Sequence, residues 1–524
     1  MKPLFIIPTI ALCGASCMSY GAENTTSRPN VILIVIDDLG WNDLSCMGSR
    51  YYETPAVDRL AREGVRFTDG YAGCSVSSPS RGSLVTGRAT TRHGITSWIG
   101  DFEGDLWREK GHTDMLLPAN YNHQLRQDEY TIANAFSDNG YSTYFIGKWH
   151  LGEELYPTDF GFDVNVAGWA AGGPRGGYFA PYENPMLEDG PDGENLSYRL
   201  GQEAIKLIDR SEDPFFMMLS FYAVHGAIQT TQERWDYYRQ KALDQGVSEE
   251  GFDHEGRRLP TRIAQDNPVY AGLVEQMDSA IGDVIDHLED AGGLDNTIIV
   301  FTSDNGGVVS GDSYSTSLRP IRGGKGTQWE GGIRVPFIVR NPLIESTQKI
   351  VNEPVIGMDI FPSMLDMCGL EQHPSAHLDG VSIKPLLEGE SMEERALFWH
   401  FPHYGNQGGE PCSTVREGDW KLIYYHEDQR MELYNLANDI SETTDLAASN
   451  SSKVNELRTK LDDFLSETNA IMPQPDPTYT EEAGAQWRAE RFEKMKNNNE
   501  KLRKAQYRAD WQPNADWWGS RTID

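Results

Sequence analysis

Residues 31–36 read Val-Ile-Leu-Ile-Val-Ile and stop at Asp37-Asp38. A β-branched run without polar alternation is the pattern of a strand buried on both faces, as in parallel sheets covered by helices. The pattern recurs. Residues 141–146 lead into Gly147-Lys148-Trp149-His150, residues 215–224 into His225, and residues 298–302 into Ser303-Asp304-Asn305-Gly306-Gly307. Helical patterns intervene at 131–139, 197–210 and 270–291. Alternating strands and helices predict an α/β fold, a large mostly parallel sheet flanked by helices. In open α/β sheets, ligands bind beyond the carboxyl ends of the strands. Taken singly, Asp37-Asp38 reads as a helix cap, Asp304-Asn305-Gly306 as a turn and His225 as a core histidine. Four coincidences at one sheet edge point instead to a site.

The texture changes after about residue 390. Short strand-like pieces at 396–401, 414–416, 420–425 and 431–436, then a helix at 453–467, predict a smaller C-terminal antiparallel sheet. The expected division is a signal peptide at 1–22, a catalytic domain at 23–390, an α+β subdomain at 391–475 and a charged tail at 476–524. In that tail, 481–507 reads as an exposed helix, and Trp511, Trp517 and Trp518 follow. The leader has Lys2, an apolar run from 4 to 13 and small residues up to Ala22, which predicts export to the periplasm or beyond. Cys17 admits a lipoprotein anchored in the outer membrane. No later segment reaches the ~18 continuous apolar residues of a membrane helix. Lys and Arg total 46 against 79 Asp and Glu, a net charge of −33 that disfavours nucleic acid and anionic membrane as partners. Cys46, Cys74, Cys368 and Cys412 lie far apart, without zinc-type spacing, and suit either disulfides or buried thiols.

The stretch from Cys74 to Arg88 reads Cys-Ser-Val-Ser-Ser-Pro-Ser-Arg-Gly-Ser-Leu-Val-Thr-Gly-Arg. Pro79 suits the first turn of a helix. A hydroxyl would then stand at a helix N-terminus, where free N–H groups and the dipole attract anions. Arg81 adds a planar fork matched to tetrahedral oxyanions. Asp37, Asp38, Asp304 and the amide oxygen of Asn305 are hard oxygen ligands, suited to Ca²⁺, with Mg²⁺ second, rather than to Zn²⁺.

The segment Ser77-Ser78-Pro79-Ser80-Arg81 through Thr86-Gly87-Arg88 resembles the signature of the type I, formylglycine-dependent sulfatases. Only Ser77 has proline two positions on and arginine four on; Cys74 lies three positions early. Residues 35–40, 147–152, 302–307 and 323–332, the last carrying Lys325, extend the resemblance over about 29–390, and 415–423 resembles the family's small domain. The resemblance implies the alkaline phosphatase-like fold and sulfate-ester hydrolysis. It implies that a serine-type maturase oxidises Ser77 to formylglycine (3-oxoalanine). It also implies a cation held by Asp37, Asp38, Asp304, Asn305 and the modified Ser77. One hydroxyl of the hydrated aldehyde attacks sulfur, and deprotonation of the other releases sulfate. By family matching His150 is the base for that release, Arg81 and Lys148 support diol and sulfate, and His225 and Lys325 lie on the leaving-group side. His225 is followed by Gly226-Ala227, where many glycan sulfatases have proline close by. His123 and His93 are the alternatives.

Two other readings compete: a phosphate mono- or diester hydrolase of the same superfamily, and a sulfated-glycan-binding protein with unmodified Ser77. Export favours a sulfated polysaccharide or oligosaccharide as substrate. Trp98, Trp107, Trp169 and Tyr178 are candidates for stacking on sugars, and Arg175 and His123 for reading a carboxylate or hydroxyl.

Overall fold

The computed structural model describes residues 28–311, 314–346 and 348–513. The leader call, with Cys17, and Trp517 and Trp518 lie outside the described residues. The main sheet has eight strands: β1 (Asn30–Ile36), β2 (Val65–Phe67), β3 (Ser142–Gly147), β4 (Val164–Val166), β5 (Phe215–Ser220), β6 (Thr297–Ser303), β7 (Phe337–Arg340) and β8 (Ile350–Val351). Their spatial order is β8-β2-β7-β6-β1-β5-β3-β4. β1 lies at the centre, parallel to β6 and β5. β7 runs antiparallel to both neighbours, so the sheet is mixed with one reversed strand.

The helices that matter here are α1 (Pro55–Glu63), α2 (Ser77–Thr86), α3 (Ile132–Asp138), α4 (Leu196–Arg210), α5 (Gln232–Gln245), α6 (Pro268–Asp290) and α7 (Ile360–Met367). The unbroken apolar run of β1 is explained by burial on both sides. Ile32, Ile34 and Ile36 pack with Leu60 of α1, Leu200 of α4, Trp235 of α5 and Val274 of α6. Val31, Leu33 and Val35 face Leu84 of α2, Phe136 of α3 and Phe361 of α7. The expected strand at 215–224 ends earlier, at Ser220. Beyond it Phe221 N still donates to Val35 O, and Val224 N to Asp37 O, so the chain stays against β1 as it turns towards His225.

A separate four-stranded antiparallel sheet holds β9 (Ala396–Phe401), β10 (Cys412–Glu417), β11 (Trp420–Tyr425) and β12 (Met431–Asn435) in sequence order, with α8 (Ser451–Glu467) packed on it. The helix α9 (Glu481–Ala505) is not the fully exposed rod that its charge pattern predicts. Phe492, Asn499 and Arg503 are buried, and Arg503 reaches Asp266 and the carbonyls of Ser248 and Glu249. Cys46, Cys74, Cys368 and Cys412 are free thiols. Among the described residues no helix is long and apolar enough to cross a membrane.

Candidate active site

The carboxyl ends of β1, β3, β5 and β6 converge on the N-terminus of α2. All ten residues of α2 are buried, Arg81 included. Arg81 is tolerated there because its Nε donates to Asp304 Oδ2 at 2.8 Å, and its Nη1 to Ser220 Oγ at 2.6 Å and Lys148 O at 2.9 Å. Its Nη2 has no hydrogen-bond partner among the described residues and lies 3.7 Å from Asp37 Oδ1. An unfilled, buried guanidinium donor facing this cluster suits an oxyanion.

Ser77 opens α2. Its Oγ donates to Asp37 Oδ1 at 3.1 Å or Asn305 Oδ1 at 3.2 Å, and accepts from Lys148 Nζ at 3.2 Å. Lys148 Nζ also lies 2.6 Å from Asp37 Oδ2. Cys74 is buried apart, against Val76 and Phe401. Asp38 adopts φ 64° and His150 φ 55°, left-handed conformations rare outside glycine, and both are placed by turns at strand ends. Lys325 Nζ stands 2.7 Å from Asp38 Oδ1, and His225 Nε2 3.8 Å from Asp38 Oδ2. The glycines of the Lys325 segment have a visible purpose. Gly306 N donates to Gly332 O, and a Cβ on Gly306 would stand 1.7 Å from Gly331 O, so the end of β6 and that segment meet backbone to backbone.

The acidic groups are strongly biased. Burial pushes the Asp37 carboxyl up to about 8; Lys148 opposes this, while Asp304 and Asp38 add to it. Burial also works against ionising Asp38, yet Lys325 and His225 hold it below the usual carboxylate range. Asp304 lies far below that range, because Arg81, Lys148 and Lys325 overcome its burial. Asp37, Asp38 and Asp304 offer ligand oxygens all within 4.8 Å of one another. Three converging buried carboxylates with an amide oxygen beside them fit a hard divalent cation, whose charge would relieve their mutual repulsion.

His150 is neutral by burial and by the adjacent Lys148, which push its pKa well down. Its Nε2–H donates to Ile99 O at 3.2 Å, so Nδ1 accepts from Ser78 Oγ at 3.2 Å. His150 thus lines the same cavity as Ser77 while bonded to Ser78. Burial, then Lys325, lowers His225 to about 3. Its Nδ1–H donates to Gly226 O, which leaves Nε2 facing Asp38. Gly226-Ala227, in place of a nearby proline, therefore does not remove His225 from the site.

Ser77, His150, His225 and Lys325 line an open cavity of about 1510 Å³. Trp98, Trp169, His123 and Arg175 line it, as the sequence predicts. Two of the expected aromatics do not. Trp107 is buried in a stack on His112, with centroids 3.5 Å apart, and its Nε1 donates to Asp114. Tyr178 is buried beneath the site, where its hydroxyl reaches Tyr222 O and His225 O and supports the His225 turn. His93 is a core residue behind α2, beside Ser83. Sequence reasoning missed Ser78 and Ser220, which orient His150 and Arg81, and the lining residues Glu153, Glu154, Asn406 and Gln407. Ser78 was legible only as part of the Ser77 signature, and nothing in the polar, glycine-rich stretch at 402–411 singles out Asn406.

Comparison with known proteins gives a consistent picture. A family model described as Sulfatase matches residues 29–370, and one described as N-sulphoglucosamine sulphohydrolase, C-terminal, matches 324–470. A sulfatase of Formosa agariphila is 31% identical over 511 residues, covering 83% of this chain and 87% of its own. Human steryl-sulfatase is 28% identical, covering 72% and 73%. Among solved structures, Ps i-CgsB in complex with k-i-k-neocarrahexaose aligns with a TM-score of 0.66 at 26% identity, covering 91% of this chain and 100% of that one.

Proposed function

The chain belongs to the sulfatase family and is a sulfuric ester hydrolase; from that premise we propose that it removes sulfate from a sulfated carbohydrate through a formylglycine made from Ser77, with Ca²⁺ bound beside it. The observation that carries this reading is the position of Ser77 Oγ. It stands at the N-terminus of α2, between Asp37, Asn305 and Lys148, at the floor of a sugar-sized cavity. Asp37, Asp38, Asp304 and Asn305 would hold the cation, which supplies charge neutralisation of sulfate and orients the oxygen at position 77. Oxidised by a serine-type maturase, position 77 would supply a hydrated aldehyde as the nucleophile towards sulfur.

The remaining chemistry belongs to the chain. Arg81 Nη2 and Lys148 Nζ face the sulfate oxygens and the nucleophile. The Nδ1 lone pair of neutral His150 accepts the proton that releases sulfate, once it exchanges Ser78 for the group at position 77. Lys325 and His225 flank the leaving oxygen, and an anionic ester beside His225 favours its imidazolium form as proton donor. Trp98, Trp169, His123 and Arg175 contact the sugar. Residues 1–22 direct export, consistent with extracellular polymeric substrates.

The test is a pair of substitutions in protein matured by a serine-type enzyme. Ser77→Ala abolishes sulfate release from an aryl sulfate while thermal unfolding stays that of the parent; Cys74→Ala retains most activity. An inactive Cys74→Ala chain beside an active Ser77→Ala chain reverses the assignment.

A further inference from the structure

A second cavity, of about 530 Å³, adjoins the first: Asn406 lines both. One wall is a stripe of α9, with Arg491, Lys494, Met495, Asn498, Asn499 and Leu502 spaced three and four apart on one helix face. The polar chemistry of this stripe is that of donors. Arg491 is half-buried and forms no ion pair among the described residues; it lies over the Trp487 ring, 5.1 Å from its centroid, and donates to Asn406 O at 3.4 Å. Asp114, a carboxylate that acts on it, is engaged by Arg258 and Trp107. Lys494 is exposed, also without an ion pair among the described residues. Beneath them Asn499 is 4% exposed, and its Nδ2 is buried without a hydrogen-bond partner among the described residues. Arg491 and Lys494, two cations without an ion pair among the described residues on a chain of net charge −33, are complementary to an anion. Met495 and Leu502 add apolar surface of the kind that packs on a sugar face.

We propose that this cavity is a subsite for a second sulfated sugar of the same glycan chain whose sulfate ester lies over Ser77. It rests on the sulfated-carbohydrate reading above and makes the substrate an oligomer or polymer rather than a monosaccharide. The chain runs over Asn406, and Arg491 and Lys494 hold a sulfate that is not cleaved.

The probe is dextran sulfate of about six sugars, with unsulfated dextran as control, bound to the full Ser77→Ala chain in a calorimeter. Replacing Arg491 by alanine and Lys494 by glutamate together weakens dextran sulfate binding by about tenfold or more, the scale of lost hydrogen bonds to a charged group. Lys494→Glu alone, at an exposed position that folding tolerates, weakens it in the same direction. Lys501→Glu, on the same helix outside the cavity, changes nothing. Otherwise wild-type chains with these substitutions hydrolyse a small aryl sulfate at the parent rate. Unchanged affinity, or equal weakening by Lys501→Glu, overturns the subsite. Absence of aryl sulfate hydrolysis by the matured parent counts against the functional reading instead, and the binding comparison still decides the cavity.

Discussion

At the scale of single residues, the proposed roles of His225 and His150 are two kinds of proton transfer. An aryl sulfate leaves as a stabilised phenolate and needs little protonation, whereas a sugar alkoxide needs an acid. His225→Ala is therefore expected to lose roughly 10²–10⁴-fold on a sulfated sugar and far less on an activated aryl sulfate. His150→Ala impairs both, because release of sulfate follows either leaving group. Steady-state rates on the two substrate types check this. Equal impairment of His225→Ala on both would reassign His225 to a positional or sulfate-binding role and the acid to Lys325 or His123. The polar cluster was legible in sequence because Asp37, Asp38, Asp304 and Asn305 follow strands whose burial the apolar runs betray. The partners of His150 and Arg81 were not. Ser78 and Ser220 are ordinary serines until the fold brings them within 3.2 Å and 2.6 Å of those side chains.

Among the elements, α6 organises one face of the sheet and caps a neighbour. Asp278, in its middle, accepts from Ala56 N at 3.0 Å and Val57 N at 2.9 Å, the free donors at the start of α1. Burial raises its carboxyl from 3.8 to about 7, against the two backbone hydrogen bonds. A folded pKa above the unfolded one means the group's contribution to stability is full below about pH 4 and is lost as pH rises through about 7. Asp278→Asn removes that dependence. Denaturation of parent and variant across pH 4–8 should show their difference shifting in favour of the variant up to about pH 7 and levelling off above it. A difference constant over the range would place the titration elsewhere. Long elements such as α6 and β1 were readable from periodicity and burial. The two- and three-residue strands β2, β4 and β8 were not, since such short pieces carry no pattern and are made by pairing to longer neighbours.

Across the whole molecule, the C-terminal sheet is joined to the catalytic segment by buried charge. Lys421 of β11 lies 3.0 Å from Glu330 and 2.8 Å from Glu442, and Glu442 accepts from Glu330 N. Glu330 follows Lys325 closely, so the small sheet braces the segment that carries Lys325. Lys421→Met leaves two buried carboxylates facing each other and is expected to cost about 3–5 kcal/mol, read by chemical denaturation. A loss below about 1 kcal/mol, the scale of a surface pair, would contradict that bracing. The charge pattern of α9 predicted an exposed helix because sequence shows polarity but not a partner; Arg503 is polar and fully buried because Asp266 and two carbonyls await it. The central claim is that this assembly works through a modified Ser77. Its most direct measurement is fragmentation mass spectrometry of the tryptic peptide 67–81, beside sulfate release by the same protein. With a serine-type maturase present, the account predicts a loss of about two mass units at Ser77, as for an alcohol oxidised to an aldehyde, and activity in proportion to the modified fraction. Full activity with an unmodified serine at position 77 would contradict it.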